Sequence, residues 1–175
     1  MRLSGKHAII LVEDMYNEFE LWYPYYRLIE EGCSVIMVAP RASATYHSKY
    51  GIPVVAQKSS AEVSVEDFDT IIIPGGYAPD KMRLHTSMIK LVRDAFNQKK
   101  VVASICHGGW MLVSAGILKG LKVTSYVAIR DDMVNAGALW EDAELVQDGN
   151  VITSRKPDDL PAFCRAIICA MDTQA

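Results

Sequence analysis

An α/β sandwich built on a mostly parallel sheet is the fold the sequence predicts, and three observations predict it. Short apolar runs of strand length alternate with segments of helical periodicity along the whole chain. Those runs are continuously apolar rather than alternating, as in strands covered on both faces. Half of the 175 residues are apolar, enough to bury a core without disulfide or metal staples. Strands alternating with helices place helices on both faces of the sheet.

The elements follow in order. Residues 7–12 (HAIILV) read as a buried strand. Residues 17–31 read as a helix with Phe19, Trp22, Tyr26 and Ile29 at helical spacing. Gly32 ends it, and Pro24 inside it predicts a kink because proline removes an internal hydrogen bond. Residues 34–39 (SVIMVA) are a second strand, and residues 41–61 are less regular. Residues 70–73 (TIII) form a third strand that ends in Pro74-Gly75-Gly76. A helix over 86–99 turns Ile89, Val92 and Phe96 to one face. Residues 101–105 (VVASI) are a fourth strand, 108–116 a helix and 121–125 a further strand. Asp148-Gly149-Asn150 between apolar runs predicts a hairpin. Residues 161–171 close the chain as a helix with Phe163, Ile167 and Ala170 inward. No repeat or linker interrupts the pattern, so residues 1–175 read as one domain.

Composition narrows the function. The 18 basic and 21 acidic residues leave a net charge of −3, with no basic patch for nucleic acid or an anionic membrane. No apolar run approaches the roughly 20 residues of a spanning helix. The first apolar run follows Lys6 directly and is too short for a leader, which reads as a cytoplasmic protein. Cys33, Cys106, Cys164 and Cys169 form no Cys-x-x-Cys pair, and His7, His47, His85 and His107 lack ligand spacing, so no metal site is expected. No G-x-G-x-x-G is present for a dinucleotide.

In open parallel sheets, sites form beyond the carboxyl ends of the strands. The segment after the fourth strand, Cys106-His107-Gly108-Gly109, has the layout of a nucleophile elbow. A sharp turn from strand to helix would hold Cys106 above the sheet edge, and glycines let the helix start close to it. The helix N-terminus is expected to lower the Cys106 thiol pKa. Cys33, Cys164 and Cys169 read as packing residues. Gly75 and Gly76 after the third strand, with the N–H of the residue after Cys106, offer donors to a developing oxyanion. After the first strand come Glu13, Asp14, Glu18 and Glu20. Glu18 and Glu20 lie two apart and point to different sides of a helix, so at most one faces Cys106. Periodicity leaves the choice between them open.

These segments together resemble the PfpI family of the DJ-1/PfpI superfamily. The resemblance is carried by ASICHG at 103–108, IPGGYAP at 73–79 and EFELWYP at 18–24. It continues through Thr124-Ser125-Tyr126, Asp131-Asp132-Met133 with Asn135-Ala136-Gly137, and Thr153-Ser154-Arg155 with Pro157-Asp158-Asp159-Leu160. It implies a flavodoxin-like sandwich of the class I glutamine amidotransferase-like type. It also implies Cys106 as nucleophile, His107 beside it, and Glu20 rather than Glu18 as its acid. The position after Gly-Gly-x-Ala-Pro implies that Asp80 completes a Cys-His-acid triad across a subunit interface, in a homodimer or in a hexameric ring built from dimers. Gly75, Gly76, Gly108 and Tyr126 would line the substrate and oxyanion positions. Tyr126 stands where the deglycase branch often has a histidine, which favours the His107 arrangement.

The resemblance implies three functions, none needing a cofactor. The first is chemistry on reactive dicarbonyls or their protein adducts, of glyoxalase or deglycase type, in stress response. The second is an intracellular cysteine peptidase using Cys106, His107 and Asp80 on a peptide. The third is a stress holdase or redox sensor, since a low-pKa thiol beside an acid is a setting for oxidation.

Overall fold

The computed structural model describes residues 1–173. In chain order the elements are β1 (His7–Leu11), α1 (Glu18–Glu30), β2 (Ser34–Ala39), β3 (Thr45–His47), β4 (Pro53–Val55), β5 (Lys58–Ser59) and β6 (Thr70–Ile73). They continue with α2 (Ala78–Met82), α3 (Thr86–Asn97), β7 (Val101–Ile105), α4 (Gly109–Ala115), β8 (Lys122–Val123) and α5 (Arg130–Asn135). The last are β9 (Leu139–Trp140), β10 (Val146–Asp148), β11 (Val151–Ser154) and α6 (Leu160–Thr173).

Seven strands form the central sheet in the order β10-β11-β7-β6-β1-β2-β5. Every neighbouring pair is parallel except the β10–β11 hairpin. The parallel strands at its centre are buried throughout, from Ile9 to Leu11, from Ile71 to Ile73 and from Val101 to Ile105. That burial is why they are continuously apolar. From β1 the chain moves outward to β2, then returns past β1 to lay down β6 on the other side. Strand order therefore reverses between β1 and β6, which opens a crevice at their carboxyl ends. Glu20 follows β1, Gly75 follows β6 and Cys106 follows the adjacent β7, so three chain segments reach that crevice together.

Three expectations are corrected. Residues 121–125 give only β8, which pairs with β9 outside the central sheet. Beyond it Thr124 turns away, and its N–H donates to the Thr153 hydroxyl at 2.9 Å. Residues 41–61 hold a hairpin, β3–β4, and the short edge strand β5. The third correction is the inward face of α1. Phe19, Tyr26 and Ile29 are exposed, while Leu21, Pro24 and Leu28 are buried with Glu18 and Glu20. Helical periodicity fixes which residues share a face but not which face turns inward. Here the inward face is the one that brings Glu20 to the end of β6.

The start of α1 is local in origin. Asn17 is extended (φ −81°, ψ 119°), and its Oδ1 accepts from the N–H groups of Phe19 and Glu20 at 3.0 and 3.3 Å. That cap ends the turn after β1 and sets the first helical turn, where Glu20 lies. The helix passes through buried Pro24, which cannot donate to the carbonyl of Glu20.

The inward face of α1 is testable by urea unfolding. Leu28→Ala is expected to destabilise by about 2–5 kcal/mol, as for a cavity in a packed core. Phe19→Ser and Tyr26→Ser are each expected to change stability by no more than about 0.5 kcal/mol. The reverse ranking would mean that α1 is turned the other way.

Candidate active site

The elbow forms as its residues predict. β7 runs buried to Ile105, a single 3₁₀ turn covers Cys106–Gly108, and α4 starts at Gly109. Cys106 has φ +62°. For a residue with a Cβ the left-handed region costs roughly 1–2 kcal/mol. Such strain persists only where surrounding contacts over-determine it. One such contact is Gly108. A Cβ there would lie 2.5 Å from the Ile73 carbonyl oxygen and 2.9 Å from Ser104 Oγ, so only glycine lets the turn press onto β6.

The turn after β6 closes on the same point. A Cβ on Gly75 would lie 2.6 Å from Cys106 Cβ, 2.6 Å from Glu20 Oε2 and 2.9 Å from the His107 nitrogen. The Gly75 N–H instead donates to Glu20 Oε2 at 2.7 Å, in a fully buried hydrogen bond. Gly75 thus holds the acid, and its N–H is not free for an oxyanion. Gly108 likewise packs against β6 rather than lining the pocket. These two corrections share a cause: where three segments converge, glycines serve close approach first.

Buried Tyr16 ties this turn to the chain after β3. The Asn17 N–H donates to the Gly75 carbonyl at 3.1 Å, and the Tyr77 N–H donates to the Met15 carbonyl at 2.9 Å. On its other side, the Lys49 N–H donates to the Tyr16 carbonyl at 2.9 Å. Gly76, between the bonded residues, has φ +76°, and a Cβ there would lie 2.5 Å from the Met15 carbonyl oxygen. Tyr16, Asn17, Lys49 and Lys156 belong to none of the motifs read from the sequence. Asn17 alone had a signal, as the capping residue before an apolar helix.

Electrostatics overturn one expectation. The Cys106 thiol is pushed up to about 12, first by burial and then by the Glu20 carboxylate. The backbone N–H groups of Gly76 and His107 oppose this by bonding the sulfur, but do not prevail. The expected lowering fails because the turn is one 3₁₀ turn ahead of a seven-residue helix, and desolvation of the thiolate outweighs so short a dipole. Burial raises Glu20 to about 7, against the Gly75 hydrogen bond that favours its ionised form. Glu20 is fully buried and its Oε1 has no hydrogen-bond partner among the described residues, which fits an acid that holds its proton up to neutral pH. Glu18 is also buried, but it lines a separate groove on α1 with Trp22 and Ile52.

His107 Nδ1 lies 3.3 Å from Cys106 Sγ. Its ring is flanked by Trp110 and Tyr126, each with centroids at 5.1 Å. Burial, then the Lys49 charge, lowers its pKa, so the imidazole is neutral at pH 7. No carboxylate among the described residues makes an ion pair with it. Asp80 is exposed on α2 and does not line the pocket. The pocket measures about 240 Å³ and is lined by Glu20, Cys106, His107, Gly76 and Tyr126, together with Asn17, Lys49, Tyr77, Lys156 and Pro157. A thiol, a carboxyl that holds its proton to about pH 7, a neutral imidazole and two backbone N–H groups thus meet at one small pocket.

Comparison with known proteins agrees with this architecture. Residues 6–170 match the DJ-1/PfpI family. Deglycase PfpI of Pyrococcus furiosus is 43% identical over 91% of this chain and 96% of its own. YraA of Bacillus subtilis, whose name assigns it provisionally to the cysteine proteases, is 38% identical over 92% of this chain and 95% of its own. Among solved structures, a two-domain protein of Anabaena variabilis with DJ-1/ThiJ/PfpI-like and ferritin-like domains superposes with a TM-score of 0.93 at 38% identity. That match covers 94% of this chain, which spans about half (48%) of the two-domain protein.

The raised acid has a stability signature. Between its ordinary value and about 7, Glu20 keeps its proton in the folded chain and loses it in the unfolded one. Its contribution is therefore fully present at low pH and is lost as pH rises through about 7. Relative to Glu20→Gln, the wild type is expected to lose up to about 3 kcal/mol of unfolding free energy between pH 4.5 and 8. Parallel pH profiles for the two proteins would refute the buried acid.

Proposed function

The chain belongs to the DJ-1/PfpI family, and from that premise we propose that it is a cysteine enzyme of deglycase type. It acts without a cofactor on reactive dicarbonyls or their adducts. The observation that carries the reading is the buried Glu20–Cys106 pair at the floor of a pocket of about 240 Å³. That volume suits a carbonyl compound of three or four carbons, below the roughly 300–1,000 Å³ of drug-sized sites.

The chemistry follows from the pair. Above pH 7 Glu20 is a carboxylate beside a thiol. As Sγ bonds to an aldehyde carbon, its proton passes to Glu20 and the carbonyl electron pair moves to oxygen. The N–H groups of Gly76 and His107 receive that oxyanion, and Glu20 returns the proton to give a hemithioacetal. Neutral His107 takes the proton from the former aldehyde carbon, and the electron pair left behind forms an enediolate with its charge on the oxygen of the neighbouring ketone. His107 returns that proton to the neighbouring carbon and the hydroxyl proton of the first carbon passes to the enediolate oxygen, which leaves a 2-hydroxy thioester with one carbon oxidised and the other reduced. Water then releases the 2-hydroxy acid and the thiol.

Supporting the deglycase reading over a peptidase are the small pocket and the deglycase name of the Pyrococcus relative. The peptidase reading rests on the same Cys106 and His107 and on the name of the Bacillus relative. Within either reading, Asp80 of a neighbouring copy orients His107 in a homo-oligomer. The basis is that His107 has no carboxylate partner among the described residues while Asp80 is exposed.

Methylglyoxal consumption with 2-hydroxy acid formation, run beside hydrolysis of unfolded casein, tests the reading. Cys106→Ala is expected to reduce dicarbonyl turnover to background. Glu20→Gln is expected to slow it about 100-fold, within the range of a general acid–base, and Glu18→Gln by less than about threefold. Cys106-dependent proteolysis without dicarbonyl turnover would reverse the assignment. Asp80→Asn is expected to lower turnover about tenfold, and mixing it with Cys106→Ala chains to restore part of the activity. Absence of complementation on mixing would remove Asp80 from the neighbour's site.

A further inference from the structure

The charged groups lining the Cys106 pocket are Glu20, Lys49 and Lys156, with His107 neutral. Two are therefore cations at the mouth of a pocket whose only acid holds its proton until about pH 7. This stands against a whole-chain charge of −3, which by itself would repel anions.

Lys49 is not a loosely placed surface lysine. Its backbone N–H is bonded to the carbonyl of Tyr16, the residue that also bridges to Gly76. Its position is thus registered to the turn that offers a donor to the reacting oxygen. Its charge reaches both Glu20, whose ionised form it favours, and His107, whose protonation it opposes. Among the described residues no carboxylate lies within salt-bridge distance of it. Its ammonium sits instead 5.6 Å from the Tyr50 ring centroid. Nearby Arg155 is different: Asp142 and Asp159 already occupy its guanidinium at 2.7 and 2.9 Å. Lys156 pairs at 3.0 Å with Asp158, whose side chain is 80% exposed, and such a surface pair exchanges readily for another anion. Asn17 spends its Oδ1 on the helix cap, which leaves its amide Nδ2 as a neutral donor among the pocket residues.

We propose that Lys49 and Lys156 form an anion-binding rim over Cys106, so that the site selects carbonyl compounds carrying a carboxylate or phosphate group. As a statement about substrates this rests on the deglycase reading. As a statement about the pocket it does not, and the two are separable by experiment.

The pocket is tested first with alkylating reagents that differ in charge. Iodoacetate and iodoacetamide each place carbon on Sγ and expel iodide with its bonding electron pair, while the thiol proton passes to Glu20 and on to solvent. Rates at Cys106 are followed by mass mapping, and their ratio is compared with that for N-acetylcysteine. The iodoacetate preference at Cys106 is expected to exceed that of the free thiol by about tenfold at low salt and to shrink at 0.5 M salt. Lys49→Gln should remove most of it, Lys49→Arg should keep it, and Lys156→Gln should remove part. Competition against iodoacetate by lactate or by inorganic phosphate tells which anion the rim takes. A ratio equal to that of the free thiol, or one indifferent to Lys49→Gln, overturns the rim.

Substrate selection is then read from methylglyoxal adducts of N-acetylcysteine and N-acetylcysteinamide, which differ by one carboxylate. The ratio of kcat/KM for the acid over the amide is expected to fall about tenfold in Lys49→Gln. A merely structural role for Lys49 would lower both alike and leave the ratio unchanged. Alkylation bias without turnover of either adduct would sink the deglycase reading and leave the rim standing. Equal turnover of both adducts without alkylation bias would do the opposite.

Discussion

The buried hydrogen bond from the Gly75 N–H to Glu20 Oε2, 2.7 Å long, joins the end of β6 to the first turn of α1 beside the sulfur of Cys106. Much else in the molecule follows from making that bond possible. Gly75 has to lack a side chain, because Cys106, Glu20 and the His107 nitrogen leave no room for one. Helix α1 has to turn Glu20 inward, which sends Phe19 and Tyr26 to the outside. Asn17 has to cap the helix where it does, so that Glu20 comes in the first turn. The reversal of strand order between β1 and β6 puts the two partners next to each other.

On the proposed reading, reactivity is a matter of proton placement rather than of a free thiolate. Burial raises the acid and the thiol together, so the pair gives up a first proton near pH 7 and keeps its second far longer. On that reading the proton is available to move between sulfur, carboxyl and a substrate oxygen at little cost in solvent reorganisation. The left-handed Cys106 and the close glycines hold the donors of Gly76 and His107 toward the sulfur. Lys49 and Lys156 are the exposed cations of the pocket lining, whereas Glu20 and Cys106 are buried, so the proposed proton-moving pair and the proposed charge-selecting rim draw on groups in different environments and are compatible.

Much of this was legible in the sequence. Continuous apolar runs mark the parallel strands, and β2, β6 and β7 have the bounds that pattern indicates. The Cys106-His107-Gly108-Gly109 turn follows its strand as a strand-to-helix elbow must. The unlike sides taken by Glu18 and Glu20 follow from their spacing alone. What could not be read involves sums over distant parts of the chain. Residues 121–125 have strand composition, but the Thr124 N–H bonds to the Thr153 hydroxyl instead of extending a further parallel strand. Gly75 and Gly108 belong to the site's framework rather than to its lining, a distinction that depends on what stands opposite them.

The sequence by itself determined the alternation of elements, the elbow at Cys106 and the two-residue spacing that sends only one glutamate to the site. Each is a property of neighbouring residues, governed by local dihedral preference and periodicity. Tertiary structure alone decided the inward face of α1, the use of the Gly75 N–H, the raised pKa values of Glu20 and Cys106 and the place of Lys49 at the pocket. These depend on desolvation and Coulomb interaction between residues far apart in the chain, and such terms take their size, and here even their sign, from the packing that brings the groups together.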